Sequence, residues 1–289
     1  MEQSVKQELT EILRRMVKQE IKLNWQESDA PLPCGSSKIG GQPDVPSDFV
    51  WPEYEGSAYG EEDVKRRPLS FLAQINLRDV AAYDQEHLLP TEGILSFFYE
   101  LESMTWGFDP KDEGSAKVYW FPDTDVLSSA AFPEGLEQDY RLPELAITYT
   151  SQISLPSYYG TSNFPMPDGV DWDGYYACCE ECGYKEEEDV TKLLGYPDVI
   201  QNPMEKECET ITRGWRGGSP DDYKKIPDDE QADIRAKAPE WRMLFQMGTV
   251  ETDDYELMFC DCGHIYFWIR REDLLNRRFD KIWLILQCY

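Results

Sequence analysis

Positive charge, histidine and long apolar runs are all scarce in this 289-residue chain. It carries 28 Lys and Arg against 56 Asp and Glu, a net charge of −28. Proteins that grip nucleic acid rely on clustered cations to neutralise phosphates, so that class is excluded. Docking on an anionic membrane leaflet is excluded for the same reason. With 2 histidines, acid–base chemistry would fall to carboxylates, and among 56 of them no pair stands out. The longest purely apolar runs, 265–269 and 282–286, are five residues each, whereas a membrane span takes about 20. Residues 1–20 distribute Glu2, Lys6, Glu8, Arg14 and Arg15 through every turn, which leaves no apolar core for a signal peptide. Eight cysteines in such a chain read as reduced thiols rather than a disulfide framework. A cytoplasmic location is expected.

What is present points to a folded chain. A composition that is 41% hydrophobic and 13% aromatic is too apolar for an acidic disordered segment. Val5, Leu9, Ile12, Leu13, Met16 and Val17 recur at helical spacing and predict an amphipathic N-terminal helix over 4–24, packed on the body of the protein. Residues 28–67 are punctuated by proline and glycine and predict loops. Strands are expected at 69–75, 94–99, 117–121, 145–153, 207–213, 242–247, 255–260, 264–270 and 281–288, with short helices at 78–87, 228–237 and 272–276. Between 165 and 189 lie nine acidic residues and one Lys, an acidic connection or surface insertion.

The chain also resembles itself. The run Lys38-Ile-Gly-Gly-Gln-Pro-Asp-Val45 returns as Lys192-Leu-Leu-Gly-Tyr-Pro-Asp-Val199. Phe-Leu-Ala-Gln74-Ile matches Met-Leu-Phe-Gln246-Met; Gly93-Ile-Leu-Ser-Phe-Phe98 matches Gly263-His-Ile-Tyr-Phe-Trp268; and Lys117-Val-Tyr-Trp120 matches Lys281-Ile-Trp-Leu284. Four matches in one order at similar spacing imply a tandem duplication, far longer than a solenoid period. The expected fold class is therefore α+β: internally duplicated, mainly antiparallel β-sheets with a few peripheral helices and the N-terminal amphipathic helix. The whole chain, 1–289, forms one domain of two pseudo-repeats, about 30–125 and 190–289. The acidic connection joins them, and their strands share one core. Gln74 and Gln246 interrupt apolar strands at matched places. They are expected to satisfy backbone groups there, the alternative being the rim of a pocket.

At these residues the sequence resembles the bacterial YwqG-like family, classed as a domain of unknown function. The resemblance rests on Ser37-Lys-Ile-Gly-Gly-Gln-Pro-Asp-Val-Pro46 with Trp51-Pro52, Pro68-Leu-Ser-Phe-Leu-Ala-Gln-Ile-Asn76, Leu89-Pro90 and Trp106-Gly-Phe-Asp-Pro110. The second half adds Leu194-Gly-Tyr-Pro-Asp198, Gly263-His-Ile-Tyr-Phe267, Phe279-Asp280 and Trp283, so essentially the whole chain is covered. It implies an α+β fold of two similar halves, mostly cytoplasmic, and brings no catalytic residues with it. Cys178-Cys179-Glu-Glu-Cys182 departs from the family pattern.

Few constellations carry chemistry. Cys178, Cys179 and Cys182, with Cys260, Cys262 and His264, are zinc candidates by residue type, weighed against scattered reduced thiols. Acidic neighbours raise rather than lower thiol pKa, which argues against a redox dithiol. Asp171, Asp173, Gly174 and Glu180 fit part of a calcium loop, but Gly169 stands where its first ligand belongs, and a solvated turn is expected. There is no nucleophile elbow, Walker loop or dinucleotide fingerprint. The loop Trp106–Asp109 and the motif residues Lys38 and Asp44 are the pocket candidates, Asp109 being otherwise a turn cap. No cofactor is implied. The expected function is a binding or interaction module whose acidic face holds a basic protein partner, in its concrete version an immunity-type inhibitor of a toxin such as a nuclease. The other reading is a small-molecule or metal-dependent site between the two halves.

Overall fold

The computed structural model describes residues 2–57, 63–158, 160, 164–185, 187 and 190–289. Parts of the expected 28–67 loop stretch (58–62) and of the polar connection (159, 161–163, 186, 188 and 189) lie outside the described residues. Helix α1 (Gln3–Met16) leads into β1 (Lys18–Glu27), followed by β2 (Lys38–Ile39), β3 (Ser70–Asn76), β4 (Ile94–Tyr99), β5 (Ala116–Phe121) and β6 (Leu145–Ser154). After helix α2 (Trp172–Glu181) come β7 (Lys192–Leu193), helices α3 (Glu205–Thr212) and α4 (Asp228–Lys237), then β8 (Trp241–Met247), β9 (His264–Arg270) and β10 (Trp283–Gln287).

The ten strands form one sheet in the order β10-β9-β8-β7-β1-β6-β2-β3-β4-β5, and each adjacent pair is antiparallel. At its centre β1 and β6 pair along their whole length, Lys18 opposite Ser154 and Glu27 opposite Leu145. Outward from that pair the order is alike on both sides: β6, β2, β3, β4, β5 one way and β1, β7, β8, β9, β10 the other. Registers correspond as well, Lys38 opposite Gln74 and Lys192 opposite Gln246. Each side has an irregularity at the corresponding place, Phe71/Ala73 in β3 and Met243/Phe245 in β8. The chain crosses over between the sides. Strand β1 precedes β2–β5 in sequence yet pairs with β7, while β6 precedes β7–β10 yet pairs with β2.

The sheet is nearly closed, and its concave face holds the main core. The ring of Phe97 in β4 lies 4.4 Å from that of Phe245 in β8 and 5.3 Å from that of Phe267 in β9, so rings from both sides meet there. Each ring of this kind removed from water contributes roughly 2–3 kcal/mol. The convex face is covered differently on the two sides. Trp51 and Phe49 pack over Phe71 and Phe98, whereas α3 lays Cys208 and Ile211 over Met243 and Trp268. Beyond the edge strand β10, the loop after β4 supplies the missing pairing. The Leu286 amide donates to Trp106 O at 3.0 Å, and the Trp283 indole donates to Gly107 O at 2.9 Å. Among the described residues, no helix is long and apolar enough to cross a membrane.

Some expected elements change type. The helix expected over 4–24 stops at Met16 and β1 begins at Lys18, because Ile21 and Leu23 follow a period of two that points both into the core. The strand expected at 207–213 is instead α3, where Met204, Cys208 and Ile211 recur at helical spacing against the sheet. Of the strand expected at 255–260 only Glu256–Leu257 remains, paired with Val250–Glu251. The calcium-like segment is not a solvated turn but the start of α2. Asp171 is its N-cap, accepting a bond from the Gly174 amide at 2.9 Å.

Candidate functional site

The two related sequence motifs build two related polar clusters on the convex face. In the first, Gln74 accepts from the Asp44 amide at 2.9 Å and donates to Asp44 Oδ2 at 2.6 Å and to Ser36 O at 2.8 Å. In the second, Gln246 accepts from the Asp198 amide at 2.9 Å and donates to Asp198 Oδ2 at 2.6 Å and to Val190 O at 2.8 Å. Both amides thus satisfy backbone groups where the short strands end, the expected role. Buried Lys38 lies 3.0 Å from Glu144 and 3.8 Å from Asp44; buried Lys192 lies 2.9 Å from Glu20 and 2.7 Å from Asp198. Burial works to lower the Lys192 pKa, and Asp198 and Glu20 reverse that, holding the ammonium above the ordinary lysine value. The turn after each lysine needs two left-handed residues: Gly40 and Gly41 (φ +58° and +67°) in one copy, Leu194 and Gly195 (φ +60° and +73°) in the other. Every charged member of these clusters has a protein partner, so they act as ties rather than as open sites.

The most site-like concavity lies beside the second cluster. Capped by Asp171, α2 places Trp172 and Tyr176 one turn apart, their rings 4.7 Å from one another. Its other side, with Tyr175, Cys178 and Cys179, packs on Leu9 and Leu13 of α1. Opposite the aromatic side stand the loop after β7 and the turn before β9, where Cys260 and Cys262 have φ of +55° and +45°. Between these walls is a cleft of about 870 Å³, within the range of ligand sites. Among the described residues its rings are Trp172, Tyr176, Tyr184, His264 and Tyr289, its carboxylates are Glu187, Asp198 and Asp261, and no Lys or Arg lines it. Beside its lining residues Asp198 and His264, the buried Tyr266 hydroxyl donates to Asp198 O at 2.6 Å and lies 3.5 Å from His264 Nδ1. Burial pushes the Tyr266 pKa well up, so it stays a neutral donor.

The pocket and zinc candidates are dispersed. Lys38 and Asp44 belong to the first polar cluster, while Trp106 lies along the β10 edge. Asp109 accepts from the Lys111 amide at 3.0 Å and pairs with Arg216 at 3.1 Å, the capping role of a turn aspartate. Cys178 and Cys182 point to carbonyls of α1, 4.0 Å from Lys6 O and 3.9 Å from Thr10 O, and Cys179 is buried beside them. Cys260 and Cys262 are exposed in the turn before buried His264. Burial pushes the Cys260 thiol up, and the neighbouring Cys288 adds to this. Among the described residues, no three His, Cys, Asp or Glu side chains converge as a metal site. Sequence reasoning did not single out Trp172, Tyr176, Tyr184 or Tyr289. The available signal was the aromatic density of 158–184 in a segment read only for its acidity.

A second cavity, about 610 Å³, lies along the seam where β5 approaches β10. It is lined by Asp112, Lys117, Arg270, Arg278, Lys281 and Trp283 among others, with both signs of charge. Arg270 pairs with buried Glu209 at 2.7 Å, and Arg278 pairs with Asp273 at 2.7 Å. Burial raises the Glu209 pKa, but bonds from Arg270, Trp241 and Arg213 outweigh it and hold the carboxyl below its usual value.

No curated protein matches the chain. One family model, described as a domain of unknown function (DUF1963), matches residues 37–288.

Proposed function

The chain belongs to the DUF1963 family, and on that premise we propose that it is a cytoplasmic binding protein whose acidic surface holds a basic protein partner. An immunity-type inhibitor of a basic toxin is the concrete version. The observation that carries this reading is where the charge of −28 resides. Carboxylates in and beside the sheet, such as Glu20 and Asp44, are buried and committed to lysines or amides. By contrast, Asp168, Asp173, Glu180, Asp221, Asp228 and Asp229 face solvent from the connection, from the segment before α4 and from the first turn of α4. Such a field steers a cationic protein and weakens with salt. Capture on immobilised protein, from an extract of the native cell at low and at high ionic strength, is expected to yield a basic protein that high salt releases. No salt-sensitive partner would overturn the reading.

A YwqG-like bacterial protein built by tandem duplication of one α+β unit belongs to the same proposal. Its support is the like order of strands on both sides of β1–β6 and the two Lys–Asp–Gln clusters. On this view the repeats, about 30–125 and 190–289, are each preceded by a strand, β1 or β6, that pairs with the other copy. A small-molecule site between the halves is the second reading, and the seam cavity favours it.

A further inference from the structure

We propose that the cleft beneath α2 is a binding site for a small, weakly hydrated organic cation of the quaternary-ammonium class. This goes beyond the protein-partner reading and does not depend on it. Two of the six large apolar side chains exposed among the described residues, Trp172 (44%) and Tyr289 (81%), line this one cleft. Tyr176 and Tyr184 continue the aromatic wall, their rings 6.4 Å apart. Faces of such rings carry negative charge density and attract a cation most strongly when it sheds its water easily.

The carboxylates decide which cation fits. Glu187 already bonds Lys22, and both oxygens of Asp198 are engaged, one by Lys192 at 2.7 Å and the other by Gln246 at 2.6 Å. Among the described residues, Asp261 forms no ion pair and is the one lining carboxylate left to meet a ligand charge. A hard divalent ion takes about six to eight oxygen ligands, which the described residues of this wall do not provide. A tetra-alkylammonium group asks for none. It needs ring faces, one counter-charge and the absence of competing cations, and no Lys or Arg among the described residues lines the cleft. A neutral sugar would also stack on the rings and could donate a hydroxyl hydrogen bond to Asp261, but it would gain no charge–charge attraction from that carboxylate or from the net charge.

Calorimetric titration of the full chain near physiological salt, which screens the long-range field, tests this with choline as the probe. The comparison ligand is 3,3-dimethylbutan-1-ol, its neutral isostere with carbon in place of nitrogen. Choline is expected to bind one site, with the isostere at least tenfold weaker. Trp172→Ala should weaken choline about tenfold, while Trp172→Phe keeps most of the affinity because a ring face remains. Should Trp172→Ala misfold, Tyr289→Ala carries the test, since its ring is largely in solvent. Equal affinity for the isostere, no uptake of choline at millimolar concentration, or undiminished affinity in the alanine variants overturns the proposal.

Discussion

Lys192 and Lys38 occupy corresponding places, yet their surroundings differ enough to separate their energetic weight. The Lys192 ammonium stands between buried Glu20 and half-buried Asp198, both within 2.9 Å. Replacing it by methionine strands Glu20 without a counter-charge, a change that costs about 3 kcal/mol when one member of a buried pair is removed. Glu144 beside Lys38 is more open to solvent, and Asp44 keeps its bonds from Gln74 and the Gly35 amide. Lys38→Met should therefore cost less, roughly 1–2 kcal/mol. Urea unfolding at neutral pH checks both values through the midpoint at constant slope. The pH dependence has a definite sign. A lysine whose folded pKa is raised contributes fully below its unfolded value, about 10.4, and loses that contribution as pH climbs through the folded one. The Lys192→Met deficit should thus persist across neutral pH and close only in strong alkali.

Among the elements, edge strand β10 depends on a single glycine. Gly107 has φ +78°, and a Cβ there would lie 1.9 Å from Leu284 O. Gly107→Ala must push the loop off the strand, losing the Trp106 and Gly107 carbonyl bonds and adding left-handed strain, together about 3 kcal/mol. Hydrogen exchange should show the Leu286 amide losing protection while β9 keeps its own; unchanged protection at Leu286 would contradict this account. An uncovered edge also offers itself to other chains, so the variant should aggregate more readily. Legibility in the sequence followed the same logic of faces. Strands β4 and β9 were readable to the residue, because Ile94–Tyr99 and His264–Arg270 are apolar on both sides. Strand β1 was not, since Val17 prolongs the apolar stripe of α1 across the very residues where the period changes from helical to two. Helix α3 hid its period behind Cys208, Thr210 and Thr212, which alternate like a half-buried strand. The polar clusters were visible as repeated Lys, Asp and Gln, whereas the cleft was not. Its rings come from 172–184 and 289, and only the packing of α2 brings them to Asp261 and His264.

For the whole molecule, the crossing of β1 and β6 is the governing feature. Neither side of the sheet is built from one continuous stretch of chain: β1 pairs with β7, and β6 with β2. Cutting the backbone after Asp125, which is exposed, should give two fragments that fail to unfold cooperatively alone. Mixed or co-expressed, they should form a 1:1 complex with a single transition. Independent folding of either fragment would show that the crossing is dispensable. The same feature sets a clock during synthesis. Strand β1 must wait for Leu145–Ser154 before its central partner exists, an interval of roughly ten seconds at ordinary translation rates of about 5–20 residues per second. Throughout that time Ile21 and Leu23 have no sheet to join, and β2–β5 lack the strand that later borders them. The nascent chain should therefore be most dependent on chaperones in mid-translation, and slowing elongation between β1 and β6 should lower the yield of soluble protein.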